Sequence, residues 1–488
     1  MTADSPRTSE GVATAAGWES FDPVAVLDQL LSVVDLSRRQ SGTEVTFAGS
    51  DPIVASAHRL GACIGVPIMA NAVAAVALHR LRGGPAQSLH LDLRQAVHGV
   101  APIAFWRPTL NGEVAPHPLL EDNHFTLNPY ATRDGRWIMA SGVYQRQAAQ
   151  WCRFLDVAPD RLKVAAAVAG WDSFELEEAA NAVGLPASVV RTPQEWLDHE
   201  QGALLASTPP VRLVPIGSAS PRSLGPAARP FEGVRVLSFT HAVAGPTVGR
   251  TLAEHGADVL GATRPNDYEH EFIYAEANVG SRSCYIDIDR PDGQQTLADL
   301  VSQADVVVNN HRTGALESRG LDPRRLAEQH PGIIYVSVTC YGSEGPWATR
   351  GGFDMNGSAA SGLMVAEGCA AQPRLPVTGL INDYVTGYLG ALGATAALVK
   401  RATVGGSWHV QVNLARTAMW CSSLGIVDPD LAGSSDDHCL AEPVAYDAPS
   451  PLGRVHMLAP PVRFSHTTPA WPDPILVPRG SGRPEWNR

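Results

Sequence analysis

The chain has 488 residues, 44% hydrophobic and 18% charged, which is enough apolar material for several packed domains and excludes a disordered chain. Lys plus Arg number 37 against 49 Asp plus Glu, a formal net charge of −12 at pH 7, which excludes a general nucleic-acid binder but allows local basic spots for small anions. Seven cysteines, at 63, 152, 284, 340, 369, 421 and 439, show no C-x-x-C spacing, which argues against a disulfide scaffold or a zinc site and for a reducing, cytoplasmic setting.

Residues 1–20 are Ser/Thr/Ala-rich, lack the apolar core of a signal peptide and read as disordered. Helical apolar spacing covers 21–37. Residues 69–81 read as a buried helix ending near Gly83-Gly84, and SLHLDL (88–93) alternates as a strand. The apolar run 65–78 carries Pro67 and Asn71 and is too short to span a bilayer, so no membrane association is expected. These elements form a first segment, 21–120. A small α+β unit is expected over 121–205. It begins with NPYATRDGRWIMAS, a strand–turn–strand about Asp134-Gly135. Helices follow near 145–155 and 172–183, and Thr192-Pro193 opens TPQEWLDH as cap and first-turn proline. Residues 206–230 are rich in Pro, Ser, Ala and Gly and read as a linker.

A different rhythm starts at 231. GVRVLSF, ADVLGA, SCYIDI, DVVVNN and IIYVSVTCYG read as strands, with helical segments between them. This alternation predicts an α/β fold, a doubly wound, Rossmann-like parallel sheet domain over 231–425 beside the smaller α+β domain. Residues 426–488 read as an extended C-terminal return segment. The chain also repeats itself: AVAAVALHRLRGGPAQSLHLDLRQA (72–96) resembles LGATAALVKRATVGGSWHVQVNLARTA (392–418), which points to a partial duplication.

Four phrases carry candidate chemistry. In VLSFTHAVAGP a strand runs through a turn into a helix whose N-terminal amides suit an anion; the alternative is a plain βα turn, and His241 within it is either a loop residue or a catalyst. No G-x-G-x-x-G is present, which disfavours a dinucleotide oxidoreductase. In LINDYVTGYLGALG, Asp383 precedes a long apolar helix and is either its cap or a free carboxylate nucleophile. CYGSEGPWATRGGFD (340–354) is dense in small residues that permit close backbone approach to a ligand. Arg264, Arg282, Arg290, Arg312 and Arg319 follow strand ends, where α/β sheets bind phosphate.

Together with ADVVVNNHRTGALESRGLD and LAEHGADVL, these phrases resemble the family III CoA-transferases, the CaiB/BaiF group that includes formyl-CoA and carnitine CoA-transferases. Asp383 matches that family's nucleophilic aspartate. The resemblance implies transfer of CoA from an acyl-CoA to a carboxylic acid through an aspartyl anhydride and an aspartyl-CoA thioester. His241 matches a histidine at the edge of the family's active site. Arg264 and Asn310 match contacts to CoA, and Arg290, Arg312 and Arg319 are further candidates. CoA is implied as co-substrate, with no tightly bound cofactor and no metal, in an interlocked homodimer. The order departs from the family's, because the small domain precedes the nucleotide-fold half. In the first copy the position of Asp383 falls near Gly61, which leaves one catalytic carboxylate per chain. Asp289 stands where relatives often carry lysine, and Glu317-Ser318-Arg319-Gly320 displaces an arginine by one, so a weakened CoA-binding protein is an alternative. A racemase or lyase acting on CoA esters is another, although Phe353 replaces the histidine that racemases carry before Asp354.

Overall fold

The computed structural model describes residues 21–100, 105–114 and 123–487; the segment expected to be disordered, 1–20, lies outside them. Its main sheet has seven strands. In spatial order, Ser281–Tyr285, Asp258–Thr263, Arg235–Phe239, Val306–Asn309, Ile334–Thr339 and Ser407–Asn413 run parallel, and Arg212–Gly217 closes one edge antiparallel. Val306, Val307 and Val308 are fully buried, as expected of a central strand covered on both faces. On one face, Val236, Val308 and Val336 pack with Val248 and Leu389 of the helices Ala244–Glu254 and Asn382–Thr403. On the other, Leu237, Val307 and Tyr335 pack with Leu297, Leu300 and Leu326 of Pro291–Val301 and Pro323–Gln329. The sheet is therefore doubly wound, as the sequence rhythm predicts.

The stretch 206–230 is more than a linker, since it supplies the antiparallel edge strand through pairs such as Leu213 with Val410. Pro215 is tolerated because an edge position needs one row of hydrogen bonds only. The rest of the stretch is fastened by Arg82, whose guanidinium donates to the carbonyls of Gly225, Pro230 and Glu232.

The sequence repeat is also a structural one. Glu44–Ala48 and Ser88–Asp92 pair in parallel on either side of the Leu60–Leu81 helix, just as Ile334–Thr339 and Ser407–Asn413 flank the Asn382–Thr403 helix. Both helices have 22 residues. In both units the last strand residue caps the next helix: Asp92 accepts from the Arg94 amide and Asn413 from the Arg416 amide. The two long helices pack against each other, and the Asn71 amide donates to the Tyr388 carbonyl at 2.8 Å. Leu60–Leu81 starts nine residues earlier than its Ala/Val-rich part, which corrects the expected boundary. Pro67 lies inside it without breaking it, in a stretch that is buried throughout. Its length also corrects the expectation that this run is too short to cross a membrane. It has a mean hydropathy of 1.9, and the qualifying window is buried entirely inside the protein.

Residues 123–206 form a small three-stranded antiparallel sheet, Tyr130–Ala131, Trp137–Ala140 and Ala187–Val189, with helices packed around Phe125, Trp151 and Leu176. The capping box Thr192/Glu195 starts the Pro193–Asp198 helix. This unit grips the loop after Thr339: Gln201 donates to the Tyr341 and Glu344 carbonyls and accepts from the Trp347 amide. At the C-terminus, Ala445–Ser450 and Gly453–Leu458 form a hairpin, and the tail beyond it buries Trp471, Ile475, Leu476 and Trp486.

Candidate active site

The strands Arg235–Phe239, Val306–Asn309 and Ile334–Thr339 end side by side, and the residues that follow each of them line one cleft. After Phe239 the chain turns sharply, with Ala242 at φ +56°, a conformation that is uncommon outside glycine. Side chains from elsewhere hold this turn. Asn310 accepts from the His241 amide at 3.0 Å and donates to the His241 carbonyl at 2.7 Å. Glu269 accepts from the Ala242 amide at 2.7 Å. A Cβ on Gly245 would lie 2.7 Å from Asn310 Cγ, so only glycine lets the helix start this close to Asn310.

Asp383 lies in the first turn of the Asn382–Thr403 helix, not at its cap. Capping falls to Asp354, whose Oδ2 accepts from the Asp383 amide at 2.9 Å. Asp354 Oδ1 accepts from Asn382 Nδ2 at 3.1 Å and Ser358 Oγ at 3.3 Å. Among the described residues the Asp383 carboxylate has no hydrogen-bond donor. It is 9% exposed and borders the cleft. The capping role that the sequence offered to Asp383 thus falls to Asp354, and the Asp383 carboxylate is left without a donor.

Burial, and secondarily the neighbouring Asp354, holds the Asp383 carboxyl well above the usual carboxylate range. Burial pushes Asp354 up to about 6, opposed by the amides and hydroxyl that solvate its anion. Burial and the adjacent His311 push His241 down to about 4, so its imidazole is neutral at pH 7. Its ring centroid lies 5.1 Å from that of His311 and 6.1 Å from Tyr144, whose hydroxyl donates to Glu269 at 3.2 Å.

Of the residues singled out from sequence, Asp383, His241, Asn310 and Arg312 line this cleft together. The Asn310 side chain holds the His241 turn through both ends of its amide and borders the cleft. Arg264 and Arg319 lie outside the cleft lining, joined through Asp289 at 3.4 and 2.7 Å. Arg290 is exposed and pairs with Asp292 of its own helix. Arg282 is bound to Asp258. No group of three or more His, Cys, Asp or Glu side chains gathers to hold a metal among the described residues.

Sequence reasoning missed Asp354 as a cap, Glu269 as a clamp on the His241 turn and Tyr144 as the hydroxyl that donates to Glu269. Only Asp354 stood in a phrase already marked, and no local pattern ties it to Asp383, 29 residues on.

The first copy's counterpart is closed. The amides of Gly61 and Ala62 donate to Asp51, each at 2.8 Å, as the Asp383 amide does to Asp354. A Cβ on Gly61 would lie 2.4 Å from Ile53 Cδ1 and 2.9 Å from Asp51 Oδ1, so an aspartate there would displace Ile53 and stand against a second carboxylate.

These features define a doubly wound α/β protein with a carboxylate in the crevice beyond the carboxyl ends of its strands. The chain belongs to CoA-transferase family III, whose sequence model matches residues 46–208 and 231–438. It is 35% identical over 207 residues to "Acetyl-coenzyme A transferase nodX" of Hypoxylon pulicicidum, covering 41% of this chain and 35% of that one. It is 29% identical over 242 residues to "Cinnamoyl-CoA:phenyllactate CoA-transferase" of Clostridium sporogenes, covering 46% and 57%. The crystal structure of a CAIB/BAIF family protein from Brucella suis matches 46% of this chain and 65% of that one, at 27% identity and a TM-score of 0.37. The chain thus spans from about a third to just under two thirds of the length of these relatives.

Proposed function

We propose that the protein transfers CoA from an acyl-CoA donor to a carboxylic acid, with Asp383 as nucleophile. The observation that carries this reading is the uncommitted Asp383 carboxylate, left free because Asp354 serves the helix amide in its place. Ionised Asp383 attacks the thioester carbonyl, the C–S bond breaks, and a mixed anhydride and CoA thiolate result. The thiolate attacks the aspartyl carbonyl, releasing the donor acid as a carboxylate and leaving an aspartyl-CoA thioester. The acceptor carboxylate then attacks that thioester to give a new anhydride and thiolate. Attack of the thiolate on the acceptor's carbonyl yields the product thioester and regenerates Asp383. Each step exchanges one acyl bond for another of similar energy, so the thioester's free energy is retained. Neutral His241 serves as a hydrogen-bonding partner at the cleft edge, not as an acid. Gly351 and Gly352 give the reacting carbonyl close access to backbone amides.

The same reading makes 21–120 a partial first copy, 121–205 its small domain, 206–230 the crossing and 231–425 the catalytic copy. It makes 426–488 the return segment, and the whole an interlocked homodimer in the cytoplasm. A second reading, a CoA-binding protein with weakened turnover, is favoured by Asp289, which neutralises Arg264 and Arg319. Incubation with a panel of acyl-CoAs, hydroxylamine trapping and peptide mass spectrometry separates the two. The transferase reading expects modification of the Asp383 peptide, lost in Asp383→Asn. CoA binding with Asp383 unmodified across the panel would overturn it.

A further inference from the structure

A second cavity, of about 340 Å³, shares no lining residue with the Asp383 cleft but is linked to it by hydrogen bonds. That is the volume of a small-molecule site. Its lining is mostly apolar and includes Trp106, Phe272, Ala275, Val455, Met457 and Leu476. Two carboxylates tie it to the cleft. Glu269 lines the cavity and holds the Ala242 amide of the His241 turn. Glu276 also lines it and accepts at 2.7 Å from the hydroxyl of Tyr384, the neighbour of Asp383. Its charges are two arginines, Arg250 and Arg479, against three glutamates, Glu269, Glu271 and Glu276. Arg250 is already committed to Glu276 at 2.5 Å.

We infer that this cavity receives the apolar acyl group of a monocarboxylic acid, as thioester or free acid, and rejects short dicarboxylates. The apolar walls remove methylenes from water, the driving force for such a ligand. A dicarboxylate would bring a second anion into a lining that carries three glutamates against two arginines, one of them held by Glu276, and this surplus of like charge repels it in a low-dielectric space. Leu452, Val455, Met457, Leu476 and Arg479 lie outside the segments matched by the family, 46–208 and 231–438.

The inference takes its chemistry from the transferase reading, but occupancy of the cavity can be measured without turnover. Calorimetry on the full chain with octanoate and succinate is expected to give at least tenfold tighter binding of octanoate. Ala275→Trp, which fills the cavity from a half-buried helix position, is expected to weaken octanoate at least tenfold. It is also expected to lower the octanoyl-to-acetyl ratio of kcat/KM by a similar factor. A diazirine-bearing fatty acid should label 271–279 or 452–479 in the unmodified chain, which covers the case in which the tryptophan variant does not fold. Equal or tighter succinate binding, or labelling confined to other segments, overturns the assignment. If octanoate binds and labels as stated while no thioester modifies Asp383, the cavity stands and the transferase reading falls.

Discussion

Asp354 Oδ2 accepts the backbone amide of Asp383 at 2.9 Å, so one aspartate secures the helix turn from which the other presents its carboxylate. A carboxylate that accepts several hydrogen bonds is a poor nucleophile, and one that accepts none is costly to bury. Dividing the two tasks lets Asp354 satisfy the helix and leaves the Asp383 carboxylate without a donor.

Replacing Asp354 by Asn tests that division. The neutral amide keeps an acceptor but loses the charge-assisted bonds, at a cost of about 1–2 kcal/mol in stability. Removing the negative neighbour lowers the pKa of Asp383. Since attack needs the ionised form, the rise of acylation rate with pH is expected to move to lower pH. A pH–rate profile whose acid limb stays in place would contradict the coupling of the two groups.

Asp383→Asn is expected to abolish acylation, a loss of at least about 10³-fold, and to make the protein more stable at neutral pH. The sign follows from linkage. The folded pKa of Asp383 lies above its unfolded value of 3.8, so the folded state binds the extra proton and loses stability as pH rises through the folded pKa. The variant carries no such term. Its melting temperature should exceed that of the parent at pH 8 by a few degrees, roughly 2–4 °C per kcal/mol, and the difference should vanish below pH 4.

Asp289 bridges Arg264 and Arg319 on the surface, and this contact holds its carboxyl below the usual range. Asp289→Asn frees Arg319 from its carboxylate and leaves Arg264 held by Asp267 alone, at 3.0 Å. CoA is expected to bind a few-fold more tightly to the variant at low salt, with the gain shrinking at higher salt as screening grows. Titration of CoA at two ionic strengths measures both effects, and unchanged affinity at low salt would remove these arginines from the CoA site.

Gly387 sits where the Asn382–Thr403 helix crosses Ala244–Glu254. A Cβ there would lie 2.5 Å from Thr247 Cβ and 2.7 Å from the Ala244 carbonyl. Backbone cannot step aside cheaply, so Gly387→Ala should cost about 1–3 kcal/mol. Because the displaced helix carries Asp383, acylation should slow as well. Denaturant melts and single-turnover rates report the two losses separately.

The parallel sheet is legible in the sequence because its strands, such as Val306–Asn309, are short apolar runs set between helical segments at a regular rhythm. The edge strand Arg212–Gly217 is hidden by its Pro and Ser neighbours, since an edge needs neither a continuous apolar run nor a full set of amides. The start of the Leu60–Leu81 helix is hidden by Pro67, whose local penalty is outweighed by complete burial. Asp383 is recognisable from its surroundings. Its freedom is not, because that depends on Asp354 and on a contact that exists only after the two helix starts meet. Glu269 and Tyr144 come from separate parts of the chain and converge through packing alone, which no spacing along the sequence records.

The Leu60–Leu81 and Asn382–Thr403 helices are alike in length and flanking strands, yet both are carried by one polypeptide. Tethered partners meet at an effective concentration on the order of millimolar. Dilution therefore does not part these two helices, and a substitution in the first is felt by the second in every molecule. The chain holds a fixed pair of unequal halves, one with Asp383 at its helix start and one with Gly61 in that place, always matched one to one.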